Sequence, residues 1–230
     1  TEKHIMCFDP MTGKRGIAKT REVEGKTQVY MQLKSGESII LQTFTRSLQG
    51  EPEWKYRKEM DYSLSLDHGW KLRFVESYPA IEGEFKIDTP SSWTEVAHPA
   101  AKINRGTALY SLELDLPELS ADDWILDLGD VRESARVRIN GQEAGIAWAA
   151  PFRLSIGQLL KSGKNLIEVE VTNLPANSIA EMDRQGKQWR IFEDINMAKL
   201  NYEKGTYGHW ETLPSGLNGI VRLIPVKYLF

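Results

Sequence analysis

The chain has 230 residues, which fits one large domain or two smaller ones. Apolar residues make up 41% and charged residues 27%, the balance of an ordered, water-soluble chain rather than a disordered one. With 29 Lys and Arg against 32 Asp and Glu the net charge is −3, which argues against a nucleic-acid footprint over the whole chain. The lone Cys7 rules out an internal disulfide, and no apolar run reaches the roughly 18 residues of a membrane span.

The sequence begins Thr1-Glu2-Lys3-His4, without Met or a signal-peptide core. This predicts a piece of a longer polypeptide or a processed form. The dominant period along the chain is two. Val29, Met31 and Leu33 alternate with polar residues, as do Tyr110 to Leu116, Trp124 to Leu128, Ala135 to Ile139 and Ile167 to Val171. Residues two apart share a face on a strand and not on a helix, so each run predicts a strand. Ser35-Gly36, Asn140-Gly141, Ser162-Gly163 and Asn218-Gly219 supply turns between them. Many short strands at this spacing predict an all-β chain, an antiparallel β-sandwich or jelly roll. Trp70 and Trp124 fall in phase with apolar strand positions and are expected in its core.

Residues 1–50 hold too few strands for an independent core and are expected to be the tail of an upstream accessory β-domain. Residues 51–60, polar and containing Pro52, are expected to be a linker, and residues 61–230 the main domain. A long excursion at about 177–204 breaks the strand rhythm. Trp189, Phe192 and Ile195 step by three there, which predicts one or two helical turns. A segment of that length is expected to be functional, to form an interface or to cover one open end of the sandwich.

Motifs of chemistry are sparse. His4, His68, His98 and His209 show no metal-ligand spacing, and no Gly-x-Ser-x-Gly elbow, phosphate loop or dinucleotide fingerprint occurs. Calcium needs only a few oxygens, which leaves Asp130 and Glu133, with Asp122 and Asp123, as weak candidate donors, or ordinary exposed turns, and any metal unknown. Glu168 and Glu170 share one strand face at roughly 6 to 7 Å, a spacing that fits paired glycosidase acids and equally any solvated strand. Glu181 with Asp183 and Glu193 with Asp194 are further carboxylate pairs, but no pair stands out, and no catalytic residue is assigned. The aromatics carry more. Trp148, Trp189, Tyr207 and Trp210 lie between strands, where flat rings suit sugar C–H faces or a protein partner, or plug the end of a sandwich. Asn173, Asn177 and Glu211 are the polar groups near them in sequence that would orient a sugar.

One ordered set of residues is specific for fold. Trp124-Ile125-Leu126-Asp127-Leu128-Gly129-Asp130-Val131 leads to Ala135-Arg136-Val137-Arg138-Ile139-Asn140-Gly141, then Gly145, Trp148, Pro151-Phe152-Arg153 and Ile156. Leu159-Leu160-Lys161-Ser162-Gly163-Lys164-Asn165 and Leu166 to Asn173 follow. This order resembles the sugar-binding, galactose-binding-like jelly roll of glycoside hydrolase family 2. With Thr172-Asn173, Asn177 and Pro214-Ser215-Gly216-Leu217-Asn218-Gly219-Ile220-Val221-Arg222-Leu223, it is more similar to the C-terminal β-sandwich region of family 106 rhamnosidase-type hydrolases.

In such enzymes the catalytic acids belong to a separate barrel, and a barrel alone needs about 250 residues. The resemblance thus implies a non-catalytic accessory or structural β-sandwich of a carbohydrate-active, α-L-rhamnosidase-like hydrolase. Its partner would be a catalytic domain of the same polypeptide or complex, and it would be exported within a larger periplasmic or extracellular protein. The alternative is a carbohydrate-binding module that stacks sugars on the loop aromatics. A catalytic sandwich in its own right is the third expectation. The accessory role predicts an exposed apolar surface where a neighbouring domain packs.

Overall fold

A computed structural model describes residues 4–117, 120–191 and 205–230. Its N-terminal strands are β1 (His4–Phe8), β2 (Arg15–Ile17), β3 (Thr20–Val23), β4 (Lys26–Val29) and β5 (Ile40–Phe44). β1 lies between β2 and β5 in a three-stranded antiparallel sheet, and β3 pairs with β4. Ile5, Cys7 and Ala18 form the small buried core here, with Val29, Ile39 and Trp54 packed against it. Gly16 is required at the edge of that core, because a Cβ there would lie 2.6 Å from the Trp54 amide nitrogen. Burial pushes the Cys7 thiol above its ordinary range, which leaves it an inert apolar filler.

The larger part comprises β6 (Tyr56–Glu59), β7 (Leu64–Ser65), β8 (Trp70–Tyr78), β9 (Glu84–Ile87), β10 (Arg105–Leu116) and β11 (Asp123–Asp127). After these come β12 (Val131–Arg132), β13 (Ser134–Ile139), β14 (Gln142–Ala147), β15 (Arg153–Ser155) and β16 (Gly163–Thr172). A helix, α1 (Ala176–Arg184), precedes β17 (Gly216–Leu217) and β18 (Arg222–Leu229). Six strands form one antiparallel sheet in the order β14-β13-β16-β10-β8-β9, and a second runs β15-β11-β18-β6, with β7 also paired to β18. β12 and β17 make a short separate pair. The chain is therefore an all-β protein of several antiparallel sheets.

Alternation explains these strands. Ala135, Val137 and Ile139 point inward and are fully buried, while Arg136 and Arg138 face out. Asn140 and Gly141 both have positive φ (54° and 78°), the geometry of a tight hairpin between β13 and β14. Leu72, Tyr110, Val137, Ile167 and Val169 from the six-stranded sheet and Trp124, Leu126 and Leu223 from the five-stranded arrangement join a single apolar core. Trp70 and Trp124 lie in it as expected. Trp93, in a short 3-10 turn, fills the same core at 0% exposure although no periodicity marks it.

Three expectations need correction. Residues 30–33 are not a strand: β4 ends at Val29. The Gln32 side chain takes the ladder's place, donating to the Arg57 carbonyl and accepting from the Arg57 amide, both at 2.9 Å. Residues 51–60 are not merely a linker. They contain β6, whose charged side chains reflect an edge position while its backbone pairs with β18 from Glu59↔Val226 to Tyr56↔Leu229. The excursion does hold a helix, Ala176–Arg184, which ends before Gly186 (φ 63°), but the described residues around Trp189, 187–191, are not helical. Phe192, Ile195, Glu193 and Asp194 lie outside the described residues.

Candidate functional site

One end of the sheets gathers most of the sequence candidates. Register places Ala147, Ala135, Val171 and Ala108 side by side across β14, β13, β16 and β10. Beyond this row lie the loop from Trp148 to Arg153, the Asp130–Glu133 segment and the entry to α1.

α1 organises this end. Its buried face carries Asn177, Ser178 and Ala180. The Asn177 side chain donates to the Leu213 carbonyl and accepts from the Leu213 amide, both at 2.8 Å, which pins the returning segment against the helix. Arg184, at the helix C-terminus, donates to the Gly208 carbonyl at 2.8 Å and to the Trp210 carbonyl at 2.6 Å. Asp183 accepts from the Trp189 indole N–H at 2.6 Å and from the Tyr207 amide at 2.5 Å.

These anchors assemble three of the four candidate aromatics. The Trp189 and Tyr207 ring centres are 5.9 Å apart, and those of Tyr207 and Trp210 are 4.6 Å apart, tilted by 47°. The Arg190 guanidinium lies 5.0 Å from the Trp189 ring centre and 5.3 Å from that of Tyr207. Trp210 keeps 40% of its surface exposed, so the cluster ends in an aromatic ledge. Glu211 is exposed beside it.

The other candidates separate from this ledge. Trp148 is 59% exposed in the β14–β15 loop and makes no ring contact among the described residues. Asn173 is engaged internally: it accepts from the Gly106 amide at 3.0 Å and donates to the Asn104 carbonyl and the Ser215 hydroxyl. Asn177 is buried and engaged as above. Both asparagines therefore hold the chain rather than face solvent. Asp130 binds the Arg132 guanidinium at 2.8 Å. Among the described residues no group of three or more His, Cys, Asp or Glu could hold a metal ion.

Glu170 and Glu181, from two of the carboxylate pairs, have partners as well. Glu170 meets Arg138 at 3.3 Å on the outer sheet face. Hydrogen bonds from Gln185 and then Arg184 hold Glu181 below the usual carboxylate range, opposite to what a general acid needs. The sequence offers Asp123 as a calcium donor or an exposed turn, and the structure buries it instead. Asp123, 4% exposed, accepts from the Ser155 hydroxyl at 2.5 Å and from the amides of Trp124 and Gly157 at 2.8 and 2.9 Å, with Arg57 at 3.7 Å. Burial pushes this carboxyl up, but the Ser155 bond, the amides and the Arg57 charge outweigh burial and hold it below its ordinary value. A doublet of acids, Asp122-Asp123, gives no hint in sequence of which one turns inward.

Similarity agrees with this architecture. A Formosa agariphila protein named "Putative beta-glucuronidase" is 29% identical over 197 residues, covering 77% of this chain and 17% of that protein. The structure of a rhamnosidase from Novosphingobium sp. PP1Y superposes with a TM-score of 0.73 at 25% identity, covering 97% of this chain and 20% of that one. The chain resembles part of a larger glycoside-hydrolase-like protein. No family model matches it. Its length is about a fifth of either protein, consistent with a place in a larger multidomain protein and with an accessory or structural role. Among the described residues no helix is long and apolar enough to cross a membrane.

Proposed function

We propose that this chain is a non-catalytic accessory β-sandwich of a carbohydrate-active glycoside hydrolase, α-L-rhamnosidase-like, with a galactose-binding-like jelly-roll fold. Its partner is a catalytic domain of the same polypeptide or complex, in an exported protein. The observation that carries this proposal is the superposition of 97% of the chain on a fifth of the rhamnosidase. The exposed apolar side chains at the α1 end, Trp148, Leu174, Leu213 and Ile220 among them, supply surface for such a partner.

The test is turnover of a panel of aryl glycosides, α-L-rhamnoside and β-D-glucuronide included, by this chain and by a longer protein that contains it. Turnover is expected only where the longer protein is present. Turnover by the chain alone, lost in Glu170→Gln or Glu181→Gln, would overturn the proposal.

The aromatic ledge favours a second function, carbohydrate binding with a sugar face on Trp210 and Tyr207. Calorimetry with rhamnosides and galactosides tests it. Heat that disappears in Trp210→Ala supports binding at the ledge, and no heat at millimolar concentration removes it.

A further inference from the structure

A second surface feature lies on the other side of the α1 entry. An open depression of about 370 Å³ is lined by Glu76, Ser77, Tyr78, Arg105, Gly106, Asn173 and Pro175. Its polar groups are placed there by a β-bulge. Along β8 the inward residues are Trp70, Leu72 and Phe74, and strict alternation would put Glu76 into the core as well. The register with β10 shifts instead: Phe74 faces Ala108, but Glu76 faces Thr107. Val75 is the extra residue, and after it the pattern flips, so Glu76 emerges on the outside. Gly106 permits the close approach that this needs. Its φ is 148°, and a Cβ would lie 1.9 Å from the Glu76 carbonyl oxygen.

At the rim, Tyr78 is 57% exposed, and the Arg105 guanidinium stacks 4.8 Å from its ring centre. Arg105 forms no ion pair among the described residues, so its planar edge is open to an acceptor. Ser77 accepts from the Ile81 amide at 3.0 Å, which leaves its hydroxyl proton to donate. The floor is rigid, because Asn173 fixes the Gly106 amide and the Asn104 carbonyl.

We propose that this depression binds the carboxylate-bearing ring of a sugar acid, a hexuronate, at Arg105 and Tyr78. The Arg105 edge takes the carboxylate through two parallel hydrogen bonds. The open part of the Tyr78 ring takes the sugar's C–H face, and Ser77 and Glu76 donate to and accept from its hydroxyls. A neutral hexose has no group for the guanidinium fork. This site uses none of the residues of the aromatic ledge, and it stands or falls separately from the accessory role.

The experiment is an amide-NMR titration of this chain with sodium D-glucuronate, beside D-glucose and sodium acetate at matched ionic strength. Glucuronate is expected to shift the Ser77, Tyr78 and Gly106 amides saturably, glucose and acetate much more weakly. Arg105→Ala is expected to weaken glucuronate about tenfold, the loss of a charge-assisted hydrogen bond. Arg105→Lys, which keeps the charge and the fold but loses the fork, falls between, and added salt weakens binding to the native chain. Equal affinity for glucose or acetate and glucuronate would overturn the proposal. So would glucuronate shifts unchanged in both Arg105 variants, or no saturable shift at those three amides.

Discussion

The two β-regions of this molecule are built on different terms. The larger one closes its own core, drawing side chains from two sheets and from the Trp93 turn. The N-terminal one has a much smaller core, a cluster of Ile5, Cys7 and Ala18. It is completed by what it touches. The Lys19 amide donates to the Tyr56 hydroxyl at 2.9 Å, Tyr30, Tyr56 and Phe230 meet edge to face, and Lys34 pairs with Glu59. A small sheet can thus be ordered with only a small core of its own when a neighbouring strand, here β6, lends it a surface.

Substitutions can break or sharpen that contrast. The largest effect is expected from Trp93→Ala, which empties a fully buried site against Phe74 (ring centres 5.6 Å apart) and costs about 3–5 kcal/mol in urea denaturation. Loss of the whole transition, N-terminal amides included, would show that the small sheet depends on the large region. Survival of N-terminal protection would break the comparison.

Asp123→Asn comes next. It removes charged acceptance from Ser155, Trp124 and Gly157 and costs about 1.5–3 kcal/mol. The same group sets an acid limb. Its folded pKa is depressed, so its contribution is fully present above the unfolded value of about 4 and is lost as pH falls through the folded value. Melting temperature should therefore fall on acidification below about pH 4 in the native chain and more shallowly in the variant. Parallel curves would remove Asp123 from the account.

The smallest effect is local. Tyr56→Phe deletes one hydrogen bond to the N-terminal sheet and should cost about 0.5–1.5 kcal/mol. Hydrogen exchange is expected to speed up in β1 to β4 while β10, β13 and β16 stay protected. Uniform acceleration would mean that the two regions open together.

Much of the fold was legible because its strands carry one wet and one dry face. β10, β11, β13 and β16 follow alternating residues, and the β13–β14 turn follows Asn140-Gly141. Legibility failed where pairing, not pattern, decides. Met31 and Leu33 alternate correctly but have no strand beside them, and Tyr56–Glu59 reads as a charged linker until β18 is seen beside it. Trp93 is buried by elements far away in sequence, Ser92 and Ser215 being joined across the core. At the candidate site the aromatics were visible as a class. That Trp189, Tyr207 and Trp210 meet while Trp148 does not depends on Asp183 and Arg184, whose roles no local pattern announces. The outward turn of Glu76 depends on a bulge, which a strand sequence does not display.

The position of β18 has a consequence for how the protein is made. It is the last strand of this chain, yet it sits in the interior of its sheet, between β11 and β6, with β7 on it as well. While a ribosome is still adding residues 222–229, β6 and β11 have no neighbour to bond across that gap, and the inward side chains of the six-stranded sheet have no finished lid. Completion of these sheets therefore waits for this segment to be translated, with the nascent chain's apolar faces open to chaperones until then.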